Sequence, residues 1–213
     1  MQADGVVLLH GIFRSRRSMQ GLARFLAAGG FETLNLAYPS RRKPIETIVA
    51  HIHPQIAQLA RSIPGRLHFV GHSMGGLVIR AYLHRFRPQN LGRVVMLGTP
   101  NQGSEVADFI KDWWTYKQLF GPAGQQLVTG LKGADELLGT IDYELGIIAG
   151  NRTIDPVSSF IIGKPNDGRV SVECTKVAGM KDHIVIPASH AFLPANTQAR
   201  QLVLKFLREG QFR

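Results

Sequence analysis

The stretch LHFVGHSMGG, residues 67–76, decides the fold. Residues 67–70 predict a buried strand, and the pattern after Met74 predicts a helix that runs to about residue 86. Between them Gly71 and Gly75 flank Ser73, which predicts a sharp strand-to-helix turn that lifts the serine hydroxyl above the carboxyl edge of a sheet. The G-x-S-x-G pattern alone arises by chance, but a strand before it and a helix after it make Ser73 a candidate nucleophile.

Outward from this turn, short apolar strands alternate with amphipathic helices, which predicts an α/β fold with a mostly parallel central sheet and helices on both faces. The predicted strands are residues 5–9, 32–36, 67–70, 94–97, 145–149, 158–162 and 183–186. The predicted helices are residues 15–28, 44–63, 74–86 and 195–207. Residues 103–144 interrupt the alternation and concentrate glycine and aromatic residues, so they predict a small helical cap insertion. We expect residues 1–213 to form a single domain.

Composition excludes several classes of protein. Hydrophobic residues make up 44% and charged residues 19% of the chain, which is typical of a folded protein and excludes a largely disordered one. The single cysteine, Cys174, excludes an internal disulfide and a cysteine-based metal site. We find neither an apolar run long enough to span a membrane nor a secretory signal, so the expected location is cytoplasmic.

A second glycine follows the first predicted strand, in the sequence LLHGIF at residues 8–13. Gly11 allows a close approach of the backbone, and the N–H group of Ile12 can then point at a developing oxyanion. The N–H group of Met74, at the start of the helix after Ser73, is the expected second donor. His10 is expected to have a structural role. Ile12 and Met74 are thus the candidate oxyanion hole.

A serine hydroxyl needs a general base, and two histidines lie beyond residue 144. His183 begins an apolar run and is expected in a strand. His190 follows that strand, where a loop at the carboxyl edge of the sheet can reach Ser73. We therefore favour His190 as the base, with His183 as the alternative.

The base in turn needs a carboxylate that orients it. Asn-Asp-Gly at residues 166–168 predicts a loop after the strand at residues 158–162, which makes Asp167 the preferred acid. Asp155, in a turn before a proline, and Asp182, at a strand start, are the alternatives, although each is more simply a capping or solvated residue.

Taken together, these motifs resemble the α/β-hydrolase superfamily, and most closely its lipase and esterase branch. The resemblance rests on residues 10–11, 71–76, 97–104, 166–170 and 189–191, and it extends from Val6 to about residue 207. It implies a Ser73–Asp167–His190 triad that hydrolyses a small-molecule or lipid ester through an acyl-enzyme, with no cofactor, no metal and a mobile cap. Few residues precede Val6, so the expected fold is a minimal version. An acyltransferase with the same triad, or a non-catalytic binding protein on this fold, are the alternatives.

Basic residues outnumber acidic ones by 25 to 15, which gives a net charge of +10. No nucleic-acid-binding motif accompanies the charge, so nucleic acid is not an expected partner. Two basic clusters, residues 14–17 and 41–43, each follow a predicted strand. Because parallel strands end at one edge, both clusters are expected near Ser73, where they favour peripheral association with anionic surfaces or substrates. No pattern in the sequence indicates an oligomeric state.

Overall fold

The computed structural model describes residues 3–103, 134–154 and 162–213. Within these residues six strands form one parallel sheet in the order β2-β1-β3-β4-β5-β6. The strands are β1 (Gly5–Leu9), β2 (Glu32–Leu36), β3 (Leu67–His72), β4 (Leu91–Leu97), β5 (Leu145–Gly150) and β6 (Asp182–Ile186). Because all strands run the same way, the loops that follow them meet at one edge of the sheet.

Helices cover both faces of this sheet, as predicted. They are α1 (Gln20–Ala28), α2 (Ile45–Ser62), α3 (Met74–Phe86), α4 (Ala134–Leu138), α5 (Val172–Thr175) and α6 (Thr197–Glu209). Two 3-10 turns, Arg16–Met19 and His190–Ala195, precede α1 and α6. The side chain of Asn196 accepts a hydrogen bond from Ala199 N at 2.9 Å and so fixes the start of α6.

The sheet is buried on both sides, and β1 illustrates how. Val7 and Leu9 belong to the hydrophobic cluster that α2 and α3 complete. Val6 and Leu8 point the other way, into the cluster completed by α1 and α6. All four side chains are fully buried. Alternate side chains of a strand face opposite sides, so a continuous apolar run is what a two-sided core requires.

One predicted helix is divided in the structure, and two other predictions fall mostly outside the described residues. The predicted helix at residues 15–28 is divided into the 3-10 turn Arg16–Met19 and α1. For the predicted strand at residues 158–162, residues 158–161 lie outside the described residues, and β5 pairs directly with β6. Most of the predicted cap, residues 104–133, also lies outside them, so its position stays a prediction. The described end of that segment, α4, packs against α3.

Candidate active site

Ser73 occupies a strained turn between β3 and α3. Its φ of 55° and ψ of −126° lie outside the regions that residues with a side chain ordinarily adopt. A Cβ on Gly71 would lie 2.6 Å from Gly76 N, and one on Gly75 would lie 2.3 Å from Leu9 O. Only glycine fits at both positions, so the two flanking glycines permit the turn. Such strain costs about 1–3 kcal/mol and persists where the surroundings fix it.

The loop after β4 holds this turn in place. Ser73 N donates to Leu97 O at 2.9 Å, and Thr99 Oγ1 donates to Ser73 O at 3.0 Å. Thr99 is fully buried, and a Cβ on Gly76 would lie 2.1 Å from its Oγ1. Thr99 therefore packs against the first turn of α3 and is a positioning residue that the sequence analysis did not single out, although it stood within a quoted motif.

The structure brings Ser73, His190 and Asp167 into one hydrogen-bonded chain. His190 Nε2 lies 3.0 Å from Ser73 Oγ, and His190 Nδ1 lies 2.7 Å from Asp167 Oδ2. A carboxylate only accepts hydrogen bonds, so the proton of the neutral imidazole sits on Nδ1. The Nε2 lone pair then faces the serine hydroxyl, which is the arrangement that a general base requires.

Asp167 is held from several sides. Its Oδ1 accepts hydrogen bonds from Arg169 N at 3.0 Å and from Val170 N at 2.9 Å, and its side chain is fully buried. Its backbone carbonyl accepts a hydrogen bond from His190 N at 2.9 Å. The acid thus binds both the ring and the main chain of His190, which fixes the imidazole against rotation.

His72 holds the backbone at His190 by a hydrogen bond. Its Nε2 donates to His190 O at 2.9 Å, and the two rings lie 5.0 Å apart. Its Nδ1 is buried and has no hydrogen-bond partner among the described residues. Burial, and then the charge on His190, lower the pKa of His72 well below its ordinary value, so this ring is neutral at pH 7. The sequence analysis did not predict this role for His72, although the residue lies next to Ser73 in the chain.

Two further glycines pack against the acid and base. Gly98 has a φ of +56°, and a Cβ there would lie 2.9 Å from Asp167 Oδ2 and 3.2 Å from His190 Nδ1. A Cβ on Gly150 would lie 2.9 Å from Asp167 Cβ. The residue after β4 and the last residue of β5 are therefore both glycine, because a side chain at either position would crowd the acid and base.

The two candidate oxyanion donors belong to segments that adjoin Ser73. Gly11 abuts it, since a Cβ on Gly11 would lie 3.0 Å from Ser73 Cβ. Arg14 N donates to Gly11 O at 3.3 Å, which closes a tight turn with Ile12 and Phe13 at its centre. Met74 begins α3, and the first N–H groups of a helix have no carbonyl partner within it. Ile12 N and Met74 N therefore remain the candidate oxyanion donors.

The alternative residues have other partners. His183 Nε2 lies 3.0 Å from Thr175 Oγ1, and the ring stands in β6 as predicted. Asp182 accepts hydrogen bonds from His183 N at 2.8 Å and Phe212 N at 2.7 Å. Neither belongs to the Ser73 chain, and Asp155 lies outside the described residues.

The described residues hold neither a cluster of metal ligands nor a membrane-spanning helix. No group of three or more His, Cys, Asp or Glu side chains in residues 3–103, 134–154 and 162–213 is arranged to hold a metal ion. Over the same ranges, no helix has both the length and the apolar character needed to cross a membrane.

Comparisons with known proteins agree with the fold. The mature lipase of Bacillus licheniformis superimposes with a TM-score of 0.78 at 19% identity, over 97% of this chain and 91% of that one. A metagenomic carboxyl esterase gives a TM-score of 0.71 at 18% identity, over 91% of this chain and 66% of that one. Likeness at this level of identity establishes the architecture.

The sequence itself matches two triacylglycerol lipases, from Pseudarthrobacter phenanthrenivorans and Burkholderia plantarii. Each is 36% identical over 67 residues, which is 32% of this chain. The match spans 20% and 18% of their respective lengths, so this chain covers about a fifth of the curated relatives it resembles. A family model described as the alpha/beta hydrolase fold matches residues 5–131, more than half of the 213 residues. The chain belongs to the α/β-hydrolase family.

Proposed function

We propose that this chain hydrolyses carboxylic esters through covalent catalysis by Ser73. The observation that carries the proposal is the unbroken chain from Ser73 Oγ to His190 Nε2, 3.0 Å, and from His190 Nδ1 to Asp167 Oδ2, 2.7 Å. The strained backbone at Ser73 supports the same assignment, because strain of this kind concentrates at active sites. The partial similarity to triacylglycerol lipases supports an ester as the substrate.

The chemistry proceeds in two halves. Ser73 Oγ attacks the acyl carbon while its proton passes to His190 Nε2, and Asp167 stabilises the imidazolium that forms. Ile12 N and Met74 N bind the tetrahedral oxyanion. Its collapse breaks the ester C–O bond, the alcohol leaves with the proton from His190, and the acyl group remains on Ser73. A water molecule that gives its proton to His190 then releases the carboxylic acid and restores the enzyme.

The neutral state of His72 fits this cycle. The imidazolium of His190 forms within 5.0 Å of the His72 ring, measured between ring centroids. A second cation there would oppose its formation, but burial lowers the pKa of His72 and keeps that ring uncharged at pH 7. His72 can therefore hold the His190 loop by its hydrogen bond without placing a second positive charge beside the imidazolium.

Labelling and kinetics of matched variants test the proposal. We expect a fluorophosphonate probe to label the wild type and not Ser73→Ala, and hydrolysis of p-nitrophenyl esters to fall by on the order of 10⁴- to 10⁶-fold in Ser73→Ala and His190→Ala. The control is His183→Ala, a second half-buried histidine after residue 144, which should keep most of its activity. Retention of more than about a tenth of the wild-type rate in Ser73→Ala would refute the assignment.

A further inference from the structure

A basic cavity of about 320 Å³ opens beside the candidate oxyanion turn. The described residues that line it are Phe13, Arg14, Tyr38, Pro39, Ser40, Arg41 and Arg42, and none of these seven is acidic. We infer that this cavity binds a phosphate group carried by the ester substrate. The inference rests on the proposed function, since it names the substrate class of the same site.

The cavity adjoins the reacting centre through one tight turn. Gly11 packs against Ser73, and the hydrogen bond from Arg14 N to Gly11 O closes the turn. In such a turn the first and fourth Cα atoms lie within about 7 Å of each other. Arg14 is therefore a near neighbour of Ser73, and an anionic group in the cavity can belong to an ester whose carbonyl lies at Ser73.

The walls of the cavity are fixed to the same turn. Tyr38 stacks on His10 with ring centroids 4.2 Å apart, and its hydroxyl donates a hydrogen bond to His10 O. Phe13 has a φ of 59°, a conformation that a bulky residue rarely adopts, and the residue is 41% exposed. Arg41 lies over that ring at 4.9 Å. An exposed ring at a strained position has no role in the core, and here it forms one side of the cavity.

The charges of Arg14 and Arg42 are available to a ligand. Neither Arg14 nor Arg42 forms an ion pair with an acidic residue in the described part of the chain, and both are exposed. The charge of Arg14 also reaches the candidate site, because it adds, after burial and His190, to the lowering of the pKa of His72. The other members of the two basic clusters, Arg16, Arg17 and Lys43, do not line the cavity.

Arginine recognises phosphate and carboxylate groups in preference to other ligands. Its planar guanidinium donates two parallel hydrogen bonds to two oxygens of either group. A phosphate monoester carries a charge of about −1.5 to −2 at pH 7, so the charges of Arg14 and Arg42 together match it. A cavity of this volume is at the small end of ligand sites, which suits a headgroup next to the scissile bond.

Matched esters that differ only in one phosphate test the inference. Monobutyrylglycerol 3-phosphate is compared with monobutyrylglycerol, and monooleoylglycerol 3-phosphate with monooleoylglycerol, by the rate of fatty-acid release. The double variant Arg14→Ala/Arg42→Ala should lower the ratio of kcat/KM for the phosphate ester to that for the neutral ester by on the order of tenfold. Raising the salt concentration should lower the same ratio in the wild type.

The control is the double variant Arg17→Ala/Lys43→Ala, which removes the same charge from the same clusters outside the cavity and should leave the ratio within about twofold of wild type. A fall in both chain lengths identifies the anionic group as the feature bound, and a fall in the oleoyl pair alone identifies a lipid headgroup. Hydrolysis of neutral esters with an unchanged ratio in Arg14→Ala/Arg42→Ala would overturn this inference alone. No hydrolysis of any ester would overturn the proposed function.

Discussion

The two edges of the sheet each carry a histidine bound to an aspartate, and the pairs differ in what occupies the second ring nitrogen. At the carboxyl edge, His190 binds Asp167 through Nδ1, and its Nε2 faces Ser73 Oγ. At the amino edge, His68 Nε2 lies 3.3 Å from Asp4 Oδ2, and its Nδ1 accepts a hydrogen bond from Arg93 N at 2.8 Å. Both rings are largely buried.

The difference lies in which nitrogen remains available for chemistry. A carboxylate orients each ring, but at His68 the lone pair is already occupied by a backbone N–H group. At His190 the lone pair faces a hydroxyl on a strained turn. A His–Asp pair is therefore a structural clamp at one edge and a candidate base with its orienting acid at the other, and the neighbouring backbone decides between the two.

Replacing each aspartate in turn by asparagine tests the two pairs most directly. An amide at residue 167 can donate to Nδ1 and so favours the tautomer in which Nε2 carries the proton, which leaves no base for Ser73. We expect Asp167→Asn to lower kcat for p-nitrophenyl butyrate by about 10³- to 10⁴-fold. Asp4→Asn should keep kcat within a few-fold of wild type while it lowers the melting temperature.

Steady-state kinetics and thermal unfolding of the two variants give the answer. Circular dichroism at 25 °C serves as the control that both are folded during the assay. If Asp4→Asn lost as much activity as Asp167→Asn, the distinction between clamp and catalytic pair would be wrong.

A smaller loss of activity is expected from replacing a glycine beside the acid and base by alanine. Gly98, after β4, is compared with Gly30, before β2. Gly98 and Gly30 both have positive φ values, +56° and +93°, so alanine strains the backbone at either. At Gly98 the new Cβ would also lie 2.9 Å from Asp167 Oδ2, whereas at Gly30 nothing lies within 4 Å. Gly98→Ala should lower kcat by on the order of 10²-fold through misplacement of the pair.

Gly30→Ala is the matched control for backbone strain. It should lower the free energy of unfolding by about 1 kcal/mol and leave kcat unchanged. Urea unfolding and kcat are measured on both variants. Equal kcat values in the two would mean that the contact at Gly98 does not position the acid and base.

The sequence pointed to the candidate residues at the carboxyl edge, whereas the His68–Asp4 pair at the amino edge was not predicted because it depends on packing. Ser73 and His190 were identifiable because glycine spacing and chain order are local signals of a strand-to-helix turn and of the loop that follows a strand. The roles of Thr99, His72 and Gly98 depend on contacts between segments far apart in the chain. The hydrophobic pattern of the sequence carries no information about such contacts.

The same limit applies to the basic clusters. Both clusters follow strands, and the parallel direction of β1 and β2 predicted that they lie at the carboxyl edge of the sheet. Which members line the cavity was not, because that depends on the turn at residues 11–14 and on the stacking of Tyr38 on His10.

The smallest expected effect concerns pH and the amino edge. Burial lowers the pKa of His68, the charges of Arg93 and Arg66 add to the lowering, and Asp4 opposes it. Below about pH 6.5 the unfolded chain therefore binds a proton that folded His68 does not, and the free energy of unfolding falls as pH falls. One such group contributes at most about 1.4 kcal/mol per pH unit. His10, His72 and His183 have lowered pKa values too, so the wild type should lose stability between pH 7.5 and 5.5.

His68→Gln isolates the share of the amino edge, because an amide does not titrate in this range. Urea unfolding of wild type and variant at the two pH values should show a smaller loss in the variant, whatever its stability at pH 7.5. A larger loss in His68→Gln than in the wild type would mean that Asp4 outweighs burial and raises the pKa of His68. His68 would then be a protonated partner in an ion pair, and the two edges would differ in charge as well as in the use of the second nitrogen.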